Sequence, residues 1–443
     1  MLRRLWARLG TKSSYRRHAV VTSLTSVGVY ATGLVTGPIL ARSLGPDGRG
    51  DIAAVVAPNT VLFMVLAFGL PTAAAYFVDS VPEKQLLVTA TAFGLLVGIP
   101  LCTALWFAAP TYLQGHPPVT VSLARVLLLI APFSVGMSAA LEVRRRLNPD
   151  LVWNLWRSTA VFLPAIAIVV LAIASKLTLA SVLTVNAIGV AVPLVLLAAR
   201  LRRRPWPRPS IATLSIMLPY AWRTASMGTA ISLTNRLDQV ILVGLVTPGE
   251  LGLYAVAVSV ASVTNPLTSG LATTLFGHLR GETSEDRAVT RYHRALITTA
   301  AVSGAVALGI AIVAPVLIRA AFGSLFAPGT TALRLLLPGA VAFDVLGVIM
   351  TKLFSEGRPG EASRAALLGA IVTVAGLVAC APRFGIEGAA AVTSIAWIAQ
   401  VAYLVHRGAL RGHVGIAVGG TTEGDRQLSG AAPVEGPEHP TPA

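Results

Sequence analysis

Ile39-Leu-Ala-Arg-Ser-Leu-Gly-Pro-Asp-Gly-Arg-Gly-Asp-Ile-Ala-Ala-Val-Val56 returns, 202 residues later, as Ile241-Leu-Val-Gly-Leu-Val-Thr-Pro-Gly-Glu-Leu-Gly-Leu-Tyr-Ala-Val-Ala-Val258. Ile39, Leu40, Pro46, Gly50, Ala53 and Val56 recur as Ile241, Leu242, Pro248, Gly252, Ala255 and Val258. In both copies a Pro-containing turn joins one apolar run to the next, so runs one and seven of the chain end alike. A weaker echo pairs Arg125-Val-Leu-Leu-Leu129 with Arg334-Leu-Leu-Leu337, each followed by a proline, Pro149 or Pro359. The chain therefore reads as six helices plus six. Because the shift preserves an even number of spans, the halves are parallel repeats about an axis along the membrane normal, a layout in which two bundles rock around a midplane site.

That the runs are membrane helices follows from composition. Over 443 residues the mean hydropathy is +0.73 and only 12% of side chains are charged. Apolar runs of about twenty residues match the thickness of a hydrocarbon core. In lipid only helices or closed barrels satisfy every backbone polar group, and runs this long without alternation are helices. The expected fold is an all-α polytopic bundle of twelve spans: 19–41, 52–78, 86–109, 120–141, 157–175, 179–199, 218–246, 251–277, 295–318, 331–352, 365–382 and 388–406. The first run follows a basic stretch (Arg3 to Arg17) and lacks a nearby small-residue cleavage site, so it reads as a retained span. Cys102 and Cys380 both fall in apolar segments, where free Cys behaves as a small hydrophobe, and neither a disulfide nor a metal site is expected.

Charge then orients the bundle. Of the 35 Lys and Arg, 27 fall in segments that share a side with the N-terminus and 4 on the other side. The positive-inside rule places both termini in the cytoplasm of a plasma-membrane protein. The clusters at Arg144–Arg146 and Arg202–Arg204 are orientation determinants beside an anionic leaflet, which accounts for the net charge of +16 without a nucleic-acid partner. The resulting division is a basic N-terminus (1–18), an N-lobe (19–200), a basic linker (201–217), a C-lobe (218–406) and a tail (407–443) whose Gly, Pro, Thr and Glu content reads as disordered.

Two function classes are disfavoured. No G-x-x-x-x-G-K-[ST] motif is present for an ATP-driven pump. A membrane enzyme needs a sizeable outer loop or a buried His, whereas the outer loops are short and all seven His (18, 116, 278, 293, 406, 413, 439) fall in loops, tails or helix ends.

Five fragments, in order along 18–407, resemble the polysaccharide (Wzx-type) flippases of the multidrug/oligosaccharidyl-lipid/polysaccharide exporter superfamily. They are ARSLGPDGRGDIAAVVA (41–57), RRRLNPDLVWNLWR (144–157), NRLDQVILVGLVTPGELGLYAVAVSVAS (235–262), SLFAPGTTALRLLLPG (324–339) and RFGIEGAAAVTSIAWIAQ (383–400). The resemblance implies a MATE-like, V-shaped pair of six-helix lobes that moves an undecaprenyl-pyrophosphate-linked glycan between leaflets. It also implies membrane lipids and the lipid-linked oligosaccharide as partners, alongside a glycan polymerase or other envelope-biosynthesis proteins. The lipid II flippases of the superfamily usually carry fourteen spans, and this chain stops at twelve. A drug exporter of the same superfamily would share the architecture; its cleft would carry more acid than base.

The polar residues inside the spans are the candidate site. In Asn235-Arg-Leu-Asp-Gln-Val-Ile-Leu-Val-Gly244, Arg236 is thirteen residues from Arg223 and eleven from Thr247, roughly 16 to 20 Å from either end of a helix. A charge at that depth costs at least ~2.5 to 3.5 kcal/mol, so it should face a hydrated cleft or a partner. Arg236, with Asn235, is the candidate for an anionic group such as the pyrophosphate; an ion pair that only fixes packing is the alternative. Asp238 lies some 200° round the helix from Arg236 and shares a face with Asn235. Asp238 and Asp344 are candidates for H⁺ or Na⁺ coupling, the only cofactor expected, or else for buried packing. Arg125 and Arg334 sit near a span end, where a long side chain can reach headgroups or the cleft. Arg42 and Arg49, in RSLGPDGRG (42–50), are candidates to contact an emerging phosphate. Prolines 58, 71, 100, 132, 164, 193, 266, 315 and 338 should bend the helices and free carbonyls that neighbours must satisfy.

Overall fold

The computed structural model describes residues 13–147, 151–201, 207–265, 285–356 and 358–408. Among them there is no strand, and twelve helices follow one another. α1 (13–44) and α2 (46–67, resumed as Leu70–Phe77) are halves of one helix broken at Gly45. Next come α3 (Glu83–Tyr112) and α4 (Pro118–Ile130, a 3-10 turn, then Ser134–Leu147). They are followed by α5 (Leu151–Ile173), α6 (Leu179–Leu201), α7 (Ile211–Leu242), α8 (Pro248–Ala261), α9 (Glu285–Phe322) and α10 (Thr330–Ser355). α11 (359–384) and α12 (386–406) are again one helix, Pro359–His406, broken at Gly385. Among the described residues six stretches, including Ala31–Ala67, Glu83–Tyr112 and Gly360–His406, are long and apolar enough to cross a membrane.

Local chemistry explains the boundaries. Gly45 (φ 69°) and Gly385 (φ 55°) reverse the chain in a left-handed conformation that a Cβ would strain. Proline, which presets φ and lacks an N–H, opens α4, α8 and α11. Thr247 and Glu250 form a reciprocal capping box at the start of α8. Ser210 accepts the Thr213 N–H and starts α7 at Ile211, inside the stretch expected to be linker. Of the sequence expectations, the basic residues 1–12, the cluster at 202–204, the far part of span eight (266–277) with Pro266, and the tail beyond 408 lie outside the described residues.

Two ends of the bundle differ in how the halves meet. Near Pro46 and Pro248, one hydrophobic core draws on both halves, with Leu40, Ile52 and Val55 packed among Leu242, Leu251 and Tyr254. Toward the basic end the core divides. Leu62, Leu86 and Val135 form one cluster within the first half, and Leu346, Ile349 and Trp397 form another within the second. The two halves thus share one core around Pro46 and Pro248, and away from it the second half also has a core of its own. α7 spans the division: Met217 and Ala221 join the first-half cluster, and Tyr220 stacks on Tyr76 with ring centroids 4.3 Å apart. The outer surface is apolar, with Leu96, Phe107, Ile173, Leu308 and Val316 exposed, as a lipid-facing belt requires.

Candidate functional site

α7 presents two chemically different faces. On one, Asp238 and Gln239 are buried against the second half. The Tyr254 hydroxyl donates to Asp238 Oδ2 at 2.6 Å and lies 3.1 Å from Thr393 Oγ1, and the Gln239 N–H reaches Asp238 Oδ1 at 2.7 Å. A cavity of about 40 Å³ adjoins this carboxylate, lined also by Asn265, Phe343 and Trp397. On the other face Arg236 is exposed, with no hydrogen-bond partner among the described residues. Two helical steps of 100° separate the two residues, which is why neighbours of opposite charge do not pair. The side chain of Asn235 lies outside the described residues.

Arg236 is shallower than its sequence spacing implies. α7 ends at Leu242 and residues 243–246 are turns, so the guanidinium's Cα stands about 9 Å from the near end of the helix at ~1.5 Å per residue. Helical side chains lean toward their own N-terminus, which tilts Arg236 away from the nearer end of α7.

Beyond the C-terminal end of α7 the repeated turns pack tightly against each other. A Cβ on Gly50 would lie 1.7 Å from the carbonyl oxygen of Pro248, and one on Gly252 1.9 Å from that of Pro46. These are the four residues the sequence repeat pairs, so the quasi-symmetry axis runs through a seam of glycine against backbone carbonyl. Around the seam Arg42 donates to the carbonyl of Ala320 at the end of α9, and the Tyr112 hydroxyl donates to that of Val240 in the last turn of α7, at 2.6 Å. Both are carbonyls that a helix C-terminus leaves without an internal donor. Arg49 keeps its Nε buried and unpartnered.

Arg125 and Arg334 have equivalent and unexpected roles. Arg125 Nε donates to the carbonyl of Trp106 at 3.2 Å with its guanidinium 5.2 Å from the Trp106 ring, and Arg334 Nε donates to that of Ala311 at 3.1 Å. Trp106 and Ala311 stand four residues before Pro110 and Pro315, which lack the N–H that would close those helical bonds. In each half an arginine from the next helix thus caps a carbonyl freed by a proline kink. Asp344 is buried in α10 and accepts from Ser303 of α9.

Two polar clusters have no counterpart in the sequence reading. His116 after α3 donates from Nδ1 to Asp51 of α2, both buried; 65 residues separate them and no motif announces the pair. At the basic end, Lys352 and Glu356 are buried 3.6 Å apart, with Lys352 Nζ 4.7 Å from the Tyr292 ring centre and Arg358 bridging Glu356 (2.9 Å) and Glu361 (2.7 Å). The i, i+4 spacing of Lys352 and Glu356 was the available signal. Hydrogen bonds to Glu361 and then Glu356 push Arg358 above its ordinary pKa. Among the described residues no group of three or more His, Cys, Asp or Glu is placed to hold a metal ion.

A family model described as polysaccharide biosynthesis protein matches residues 16–277. The succinoglycan biosynthesis transport protein ExoT of Rhizobium meliloti (strain 1021) is 28% identical over 136 residues, 30% of this chain and 27% of that protein, so the match spans about a quarter of its length. Among solved structures, the lipid II flippase MurJ in an inward closed conformation superposes with a TM-score of 0.72 at 16% identity, over 88% of this chain and 87% of MurJ. An inward-facing multidrug resistance MATE family transporter gives 0.68 at 14% identity, over 88% and 98%. At these identities the structural matches establish a shared multi-pass fold.

Proposed function

The chain belongs to the polysaccharide biosynthesis protein family, and from that premise we propose that it flips a lipid-linked oligosaccharide, carried on undecaprenyl pyrophosphate, across the plasma membrane by alternating access. The observation that carries this reading is Arg236, an exposed guanidinium in an apolar helix, six residues before the end of α7, beyond which the repeated turns pack together. Such a charge needs a hydrated cleft or an anionic ligand, and its planar fork suits a pyrophosphate. With the basic end cytoplasmic, as the positive-inside rule has it, the cleft takes its cargo from the inner leaflet. Parting of the glycine seam and closure of the basic end would then release the glycan outside, to a polymerase or another envelope-building protein.

Asp238 and Asp344 serve this cycle as coupling carboxylates for H⁺ or Na⁺. Each is buried and each accepts from a hydroxyl on a neighbouring helix, Tyr254 and Ser303 respectively. Gaining a proton or a sodium ion would change those bonds, and with them the contact of α7 with α8 and of α10 with α9. Transport that ignores both pH and Na⁺ in the wild type would remove this role.

Proteoliposomes loaded with a fluorescent undecaprenyl-pyrophosphate oligosaccharide test the whole reading. Wild type should move the probe, Arg236→Ala should slow it roughly tenfold or more, as loss of a charge-assisted bond requires, and Arg236→Lys should recover only part, since an ammonium lacks the fork. Export of an organic cation by a wild type that moves no glycan would replace the flippase with a drug exporter.

A further inference from the structure

We infer that an apolar groove beside Arg236 is the seat of the polyprenyl chain nearest the phosphate, so that head and tail of one lipid are read on one face of α7. The inference rests on the flippase reading and adds to it the part of the substrate that no charged residue can recognise.

The groove lies between α2, α3, α4 and α7, with a volume of about 380 Å³. That is within the range of about 300–1,000 Å³ typical of ligand pockets. It follows Ala54 to Val65 along α2 and Leu101 to Leu113 along α3, a length of roughly 16 to 18 Å at ~1.5 Å per residue, which suits a chain more than a compact drug. Its walls are carbon. The two polar side chains among them already have partners within the protein, Asn59 Nδ2 on the Val55 carbonyl at 2.8 Å and the Tyr112 hydroxyl on the Val240 carbonyl at 2.6 Å. The lining offers no charge to an organic cation.

Val240 supplies the α7 wall, and Arg236 stands one turn before it on the same face. An exposed cation and a carbon-lined channel one helical turn apart complement a molecule with an anionic head joined to a hydrocarbon chain. Arg236 leans toward the basic end and the groove runs alongside α2 and α3, so the head would sit in the wet cleft while the first isoprene units lie in the groove. Val65, Leu105 and Ala108 are exposed along its open side, which leaves the rest of a long chain free to run out into lipid.

The full chain in nanodiscs, with a long-chain polyprenyl phosphate bearing a diazirine on its first isoprene units, tests this directly. Labelling of the wild type should concentrate on peptides 54–65 and 101–113 and should withstand an excess of phosphatidylglycerol. Ala108→Trp, which fills the open side, should abolish groove labelling, and Arg236→Ala should reduce it roughly tenfold, the loss expected for a charge-assisted bond. Leu105→Trp serves if Ala108→Trp does not fold. Label scattered over lipid-facing α5 and α9, equal competition by phosphatidylglycerol, or groove labelling indifferent to Arg236 would each overturn the inference. Glycan flipping measured on the same preparations separates the two claims. A wild type that flips but labels nowhere in the groove overturns the tail site alone. One that labels the groove and does not flip supports a lipid site and overturns the flippase.

Discussion

The end of the bundle around Pro46 and Pro248 and the end around Lys352 are built on opposite principles. At the first, glycines admit backbone carbonyls of the other half, and one hydrophobic core continues across the seam. At the second, only the start of α7 joins the first-half core, and Lys352, Glu356, Arg358 and Glu361 make a charged network within the second half. The seam's own contacts, glycine against carbonyl, hold by shape, with Arg42, Arg49 and the Asp51–His116 pair set around them. A buried charge network is costly to break on either side, because a lone ion left behind has lost its compensation. The difference suggests where the protein can move as a gate and where it must stay whole within a lobe.

The largest effect should come from breaking the network. Lys352→Met leaves Glu356, whose side chain is 2% exposed, short of a counter-ion. Loss of one partner in a buried pair costs up to about 3–5 kcal/mol, less here by what Arg358 still supplies to Glu356 at 2.9 Å, and a matched apolar or neutral replacement of both restores much of it. Thermal unfolding of the solubilised protein should therefore show a large loss for Lys352→Met and a substantial recovery in Lys352→Met/Glu356→Gln. A double variant no better than the single one would mean that the network is not coupled as its distances imply.

Next comes the seam. Gly50→Ala and Gly252→Ala each force a methyl into a backbone carbonyl, and overpacking of this kind costs up to about 3 kcal/mol. That cost falls on the closed arrangement alone, because the clash disappears when the halves part. Spin labels at the exposed Ser43 and Leu245 should show a population at longer separation in both variants, with transport reduced alongside it. Quasi-symmetry sharpens the test: the two variants should behave alike, and a shift in only one would deny the axis.

Smaller again is the proline cap. Arg334→Met should cost on the order of 1–2 kcal/mol by leaving the Ala311 carbonyl without its donor. Adding Pro315→Ala supplies a backbone N–H four residues on, so Arg334→Met/Pro315→Ala should regain stability that the single variant lost. The same pair of changes at Arg125 and Pro110 gives an independent measurement in the other half.

These cases also show what the sequence could and could not disclose. The twelve spans and the six-plus-six repeat were legible because hydropathy and the paired Pro and Gly survive any detail of packing. The same repeat placed Arg125 and Arg334 in register, yet their partners are carbonyls, and a carbonyl carries no residue identity to read. Pro110 was the missing clue, since α3 runs to Tyr112 and takes that proline inside the helix. The depth of Arg236 was misjudged because residues past Leu242 were given helical rise, although Gly244 and Pro248 mark the turn. His116 with Asp51, and Asp238 with Tyr254 and Thr393, are pairings across helices, which only packing determines.

The smallest effect belongs to a contact that looks much like the others. Arg146 at the end of α4 meets Asp79 at 3.0 Å, close to the distances within the buried network, and sits at the same basic end. Both side chains are mostly exposed, at 59% and 64%, so water competes for each charge and salt screens their attraction. Arg146→Ala should therefore cost no more than about 1 kcal/mol, and that cost should fade as ionic strength rises. Lys352→Met should lose stability almost independently of salt, because mobile ions do not reach a side chain that is 1% exposed. Melting curves of the two variants at low and high salt would thus separate solvent-exposed surface charges from those that hold the protein together. Equal salt sensitivity would show that the Lys352 network is wetter than its burial indicates.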